Sequence, residues 1–162
     1  MSIESPIEVS SPVTLENGAF RFLGLTTLIH ASAKTTTGAF GLVEHPSMHP
    51  GFATPYHVHH REDEAFYIIE GEVAVILNGA WKRFGPGAYV YGPREIPHGF
   101  KVVGKVPARM LVFCTPGGFE NFVLGLGQPL DDPPAPPDMS KLIAAAARAG
   151  IDILGPLPED PV

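Results

Sequence analysis

The sequence predicts an all-β domain built of short strands, with short helices after the last of them. Three observations predict it. Gly and Pro contribute 18 residues each to a chain of 162, a density of breakers that favours short strands and turns over long helices. Runs rich in β-branched and aromatic residues recur between those breakers, as in Arg21 to Ala31 (RFLGLTTLIHA) and Ala108 to Thr115. The alternating run Glu72 to Leu77 is followed at once by Asn78-Gly79, the strongest short signal for a hairpin. The length suits one domain with one core, 44% of the residues are hydrophobic, and no internal repeat points to a tandem pair.

Residues 1–17 read as an irregular lead-in ending at Glu16-Asn17-Gly18. Arg21 to Ala31 is expected to be one strand and Thr36 to His45 its neighbour. The stretch HPSMHPG before Gly51 is expected to be a loop, because two prolines and a glycine break any regular element. Two strands follow, around His57 and from Glu64 through FYII. Glu72 to Leu77 and Trp81 to Phe84 form the Asn-Gly hairpin. Ala88 to Tyr91 is a strand ended by Gly92-Pro93, and Pro97-His98-Gly99-Phe100 enters another that runs to Val103. Ala108 to Thr115 is the last clear strand. After Pro116-Gly117-Gly118 the period changes: Phe119, Phe122, Val123 and Leu126 form a helical stripe, limited by Gly125 and Gly127 to about two turns. Asp131 to Asp138 (DDPPAPPD) is a stiff connector. A second helix is expected from Met139 to about Ala149, capped by Asp138 and stopped by Gly150, with Met139, Leu142, Ile143 and Ala146 on one face. The final ILGPLPEDPV is expected to be extended.

Chemistry concentrates between Gly51 and Gly71, in GFATPYHVHHREDEAFYIIEG. Residues two apart on a strand share a face, so His57 and His59 can aim at one point. The polar segment 60–63 can carry the chain around a bend, and Glu64 then turns its carboxylate to the same point. Two imidazoles and a carboxylate make a first shell for a divalent metal with open positions; His98 is the natural fourth ligand. His60 points the other way from His59. His30, His45 and His49 lack ligand spacing and are expected to be structural or exposed, and Glu62 and Asp63 to form a solvated bend. Cys114, the lone cysteine, lies in an apolar strand and reads as a buried, inert thiol.

Gly51, His57, His59, Glu64 and Gly71 reproduce G-x5-HxH-x4-E-x6-G at every fixed position. Gly87, Pro93 and His98 fit G-x5-P-x-G-x2-H-x3-N, with Glu95 in place of the glycine and Val102 in place of the asparagine. In these motifs the chain resembles the cupin superfamily. The resemblance implies a double-stranded β-helix (a jelly-roll barrel) over residues 18–116, with residues 117–162 supplying helices and a Pro-rich connector packed on it. It also implies one divalent transition metal held by His57, His59, Glu64 and His98: iron, manganese, nickel, cobalt, copper or zinc. Within the cupins, the runs HVHHREDEAFYIIEGEV and TPGGFENFVLGLGQP look most like bacterial quercetin 2,3-dioxygenase-like proteins. That resemblance implies oxygenolytic cleavage of a flavonol with release of carbon monoxide. Glu64 would then also deprotonate the substrate hydroxyl, the catalytic role assigned to it.

Such an ion keeps a residual positive charge and favours an anionic oxygen ligand such as an enolate or phenolate. Phe66 and Ile68 share parity with Glu64, Phe100 with His98, and Met110 and Val112 with Cys114. These five are the expected pocket residues, with Phe22 and Phe40 as further walls. The alternatives are another metal-cupin isomerase, cyclase or lyase, or a non-catalytic small-molecule binder. The formal charge of −6 argues against nucleic acid. No apolar run approaches the ~20 residues needed to span a bilayer. The N-terminal MSIESPIEVSSP has neither the basic nor the apolar part of a signal region, so a cytoplasmic location is expected. Family habit and the apolar chain ends predict a homodimer.

Overall fold

The computed structural model describes residues 18–161; the lead-in assigned to residues 1–17 lies outside them. Eleven strands and two helices follow one another as β1 (Phe20–Phe22), β2 (Leu25–Ala31), β3 (Gly41–Met48), β4 (Tyr56–His59), β5 (Asp63–Glu70), β6 (Glu72–Leu77), β7 (Ala80–Phe84), β8 (Tyr89–Gly92), β9 (His98–Val103), β10 (Ala108–Thr115), α1 (Phe119–Gly125), α2 (Met139–Arg148) and β11 (Ile151–Gly155). The strands form two antiparallel sheets, of order β1-β2-β3-β10-β5-β8 and β11-β4-β9-β6-β7. Their inner faces enclose the core: Val43, Phe66, Ile68, Val73, Val75, Phe100, Met110 and Val112 are all buried within it.

The Asn-Gly hairpin forms as the sequence predicts. Leu77 pairs with Ala80 across Asn78 and Gly79, both at positive φ (49° and 80°), the geometry whose twist matches that of the flanking strands. Gly71 joins strands of different sheets, since β5 and β6 belong to opposite walls. Its φ is +77°, and a Cβ there would stand 2.6 Å from Ala108 Cα. Only glycine meets both demands.

Two expectations are corrected and a third is sharpened. Arg21 to Ala31 is a hairpin and not one strand: the chain reverses at Leu23 and Gly24, both at positive φ, and Phe22 pairs with Leu25. The continuous apolar character hid a turn whose one visible sign was Gly24. The neighbouring strand runs from Gly41 to Met48, past Pro46 into the stretch read as a loop. Its register against β10 shifts there, Met48 facing Ala108 and His45 facing Met110, and such a bulge accommodates a residue with no N–H. Last, the tail after Gly150 is a true strand: β11 pairs with β4, placing Ile151 against His59 and Ile153 against His57.

The helices lie close to their expected bounds. The Asp138 side chain accepts from the backbone N–H of Ser140 and Lys141, capping α2. Leu142 and Ala146 are buried, whereas Met139 and Ile143 of the same predicted face remain about half exposed. In α1, Glu120 is buried and accepts from Ala33 N–H (2.6 Å) and Gly118 N–H (2.9 Å), tying the helix to the β2–β3 loop.

Candidate metal centre

Two sheets build the site. β4 contributes His57 and His59 from one wall, β9 contributes His98 beside them, with His57 and His98 paired in register, and β5 brings Glu64 from the opposite wall. The bend at 60–62 moves the chain between walls. One ligand atom from each of the four side chains lies within 4.8 Å of all the others. Glu64 Oε2 is the hub, at 2.7 Å from His98 Nε2, 3.4 Å from His59 Nε2 and 3.7 Å from His57 Nε2.

The far side of each ring fixes its tautomer. His57 Nδ1–H donates to the Pro55 carbonyl (2.8 Å) and His98 Nδ1–H to the Ile96 carbonyl (2.9 Å). A carbonyl can only accept, so in both rings Nε2 is turned to the common centre. His59 Nδ1 stands 3.3 Å from Glu62 Oε2. Glu62 is therefore not part of a solvated bend: it is 5% exposed, because the chain folds back within three residues and lays its carboxylate behind His59. This carboxylate behind a histidine is an arrangement that orients metal ligands and raises their basicity. Asp63 does face outward, paired with Arg94 at 3.1 Å.

Electrostatics fit a cation at the centre. Burial opposes a charge on Glu64, but the charge on His59 and the contacts of all three imidazoles hold its carboxyl well below the usual carboxylate range. Burial pushes His57 down more than Glu64 raises it. For His59 burial is outweighed by Glu64 and Glu62, which raise it to about 9. His59 Nε2 is a fully buried polar atom with no hydrogen-bond partner among the described residues. Such an orphan is costly, and a divalent ion coordinated by three imidazoles and a carboxylate would satisfy it. The residues present therefore fit a divalent metal.

Above the cluster opens an apolar cavity that His57, His59 and Glu64 floor and that Phe22, Phe100, Val112, Phe119, Phe122 and Leu142 help to wall. Of the residues expected in the pocket, Phe100 and Val112 line this space. Phe66, Ile68 and Met110 are in the packed core, with the Phe66 ring 6.3 Å from that of His98. Phe22 is a wall as expected, packed edge-on against Phe122 at 5.8 Å. Phe40 is not among the lining residues; it packs against Phe113, on the face of β10 opposite Val112. α1 closes the cavity, with Phe119 at 5.4 Å from the His59 ring.

The remaining histidines divide. His60 points outward, between Glu95 and Asp152 at 2.8 Å each. His30 donates to Glu44, which also pairs with Arg109. His49 is exposed. His45, expected to be structural or exposed, lines the cavity and is pushed down by burial to about 4; no ligand spacing in the sequence marks it. Glu95 is exposed, at φ +65°, the left-handed region that explains a glycine in the motif and costs a side chain about 1 kcal/mol. Val102 is buried and is tied through its backbone to Gly51 and Phe52. Burial pushes the Cys114 thiol well above its ordinary value, which makes it inert.

Residues 45–114 match the cupin domain family. That stretch runs from β3 to β10, so the match supports a cupin barrel in the two-sheet form just described. Over 125 residues it is 29% identical to quercetin 2,3-dioxygenase of Bacillus subtilis (strain 168), covering 74% of this chain and 36% of that protein. Over 106 residues it is 29% identical to the tetracenomycin polyketide synthase protein TcmJ of Streptomyces glaucescens, covering 65% of this chain and 66% of that one. The match thus spans about a third of the first relative and just under two thirds of the second. Among solved structures it is similar to the polyketide cyclase RemF from Streptomyces resistomycificus, with 25% identity, a TM-score of 0.54, and coverage of 66% of this chain and 80% of that one.

Proposed function

We propose that the protein is a metal-dependent enzyme acting on an enolisable aromatic, and specifically a dioxygenase that cleaves a flavonol-like substrate. The observation that carries this reading is the convergence of three imidazoles and one carboxylate on the floor of an apolar cavity. His57, His59, His98 and Glu64 would hold the ion. When bound, it would supply Lewis-acid charge and open positions for a substrate oxygen and dioxygen. Against burial, the three imidazoles hold the Glu64 carboxyl well below the usual carboxylate range, which favours the ionised form that a base requires. Its three imidazole contacts all use Oε2, which leaves Oε1 to take the substrate's hydroxyl proton. The aromatic walls hold a planar ring system and keep water from the site. The likeness to the Bacillus quercetin 2,3-dioxygenase supports dioxygen as co-substrate.

The test is metal analysis of the purified protein together with oxygen uptake on quercetin. Stoichiometric metal and oxygen-dependent loss of the flavonol are expected. Full metal occupancy without oxygen uptake would overturn the dioxygenase reading. Glu64→Gln is expected to lower turnover more than metal content; equal loss of both would make Glu64 a ligand only.

A second reading, a metal-dependent cyclase of polyketide-like aromatics, is favoured by the likeness to TcmJ and RemF, which covers more of those proteins than of the dioxygenase. Turnover without oxygen supports it, and tight binding with no turnover at full metal occupancy would instead indicate a binder. We also place the chain in the cytoplasm as a homodimer, the dimer resting on apolar residues such as Met139, Ile143 and Leu154 left about half exposed near its end. No described helix is long and apolar enough to cross a membrane. Sedimentation at the monomer mass would refute the dimer.

A further inference from the structure

We propose that His45 is a substrate-binding residue. Its Nε2 accepts a hydrogen bond from a phenolic hydroxyl other than the oxygen that enters the metal cluster, so the site selects polyhydroxylated aromatics. The inference rests on the reading of the cavity as a site for enolisable aromatics and adds to it a second anchor.

Among the described residues, five polar side chains line the cavity: His45, Thr54, His57, His59 and Glu64. Three belong to the metal cluster. Thr54 is committed to the backbone, its hydroxyl accepting from Phe100 N–H (3.0 Å) and facing the Phe100 carbonyl (3.4 Å). His45 is left. Its tautomer follows from its neighbour, because the Thr27 hydroxyl spends its one proton on the Leu25 carbonyl at 3.2 Å. Thr27 Oγ1 can therefore only accept from His45 Nδ1, 3.1 Å away. The proton sits on Nδ1, and Nε2 carries a lone pair. The hydrogen bond to Thr27 engages Nδ1 and not Nε2, and the Thr26 backbone also acts on the ring, favouring a proton on it. Burial keeps the ring uncharged at neutral pH, with a value near 4, so it stays an acceptor.

His45 pairs with Met110 of β10, and Glu64 pairs with Cys114 of the same strand, four residues further along. Both side chains line the same cavity, and the Glu64 carboxylate acts on the His45 ring through space, so one aromatic ligand there can meet both anchors. One anchor takes an acidic enol oxygen at the metal cluster, and the other takes a neutral hydroxyl donor at His45. A buried acceptor left unpaired discriminates strongly against an analogue without the matching hydroxyl.

The test measures binding of two probes, quercetin and 3-hydroxyflavone, to metal-loaded protein under anaerobic conditions, where turnover cannot proceed. Wild type is expected to favour quercetin by about 10- to 100-fold. His45→Leu should bring the two affinities to within about threefold while leaving metal content at the wild-type level. His45→Gln, whose side-chain oxygen also accepts, should restore part of the preference. Nitrogen-15 spectra of wild-type His45 should show a protonated Nδ1 and a bare Nε2, a readout that needs no variant to fold. An unchanged preference in His45→Leu, or a proton found on Nε2, would overturn the assignment. Failure of either flavonol to bind wild type would overturn the aromatic-substrate reading and this inference with it; because wild type is measured first, that result is distinct from a failure at His45 alone.

Discussion

Glu62→Gln tests whether the carboxylate behind His59 supports the metal centre. The substitution keeps size and shape and removes one buried charge 3.3 Å from His59 Nδ1. In the wild type that charge, with Glu64, raises His59 to about 9 against the effect of burial. Without it the imidazole becomes a weaker base and its ring loses a charged orienting partner. Removal of such a partner costs metal affinity about 10- to 100-fold, or about 1.4–2.8 kcal/mol. Titration of a divalent metal against a chromophoric chelator measures this directly, with circular dichroism to confirm the barrel. Glu95→Gln is the control, since Glu95 holds His60 on the outer surface at 60% exposure and should leave metal affinity unchanged. A folded Glu62→Gln protein that binds metal as tightly as wild type would refute the reasoning.

Three further outcomes are expected. His57→Ala and His98→Ala should each sharply reduce metal content by elemental analysis while the barrel stays folded; undiminished occupancy in both would remove them from the ligand set. Gly71→Ala should destabilise the protein by about 3 kcal/mol in urea unfolding, the sum of about 1–2 for a left-handed backbone and about 1–3 for overpacking against a backbone atom; a loss under about 1 kcal/mol would show that the corner can relax. Hydrogen bonds from Arg94 hold the Asp63 carboxyl down at about 2. Its folded-state value lies below the unfolded one near 3.9, so the pair stabilises the fold above about pH 4 and the gain is lost as pH falls toward about 2. Both side chains are partly exposed, so the amount is under about 1 kcal/mol. Arg94→Met should be less stable than wild type at pH 6 and indistinguishable from it near pH 2; a difference that persists there would point to packing rather than charge.

Local signals carried much of the molecule. The spacing of His57, His59 and Glu64, the turn at Asn78-Gly79 and the Asp138 cap are each written within a few residues, and strand period or turn chemistry alone interprets them. Glu62 was misread because its neighbours are polar and a bend of charged residues is usually solvated; only the fold-back onto His59 buries it. Leu23-Gly24 was missed because a hairpin turn with one leucine lacks the usual polar signature.

What the sequence determined by itself is most of the strands and the chemical type of the candidate ligand set, since both follow from periodicity and residue identity over short spans. Tertiary structure alone decided the rest. It placed β11 beside the ligand strand, and it set His45 in the wall of the same cavity as Glu64, although β3 and β5 are separated by β10. It also divided the apolar residues between cavity and core. Those outcomes depend on which strands pair across long loops, and a pairing of that kind leaves no periodic trace in the residues that take part.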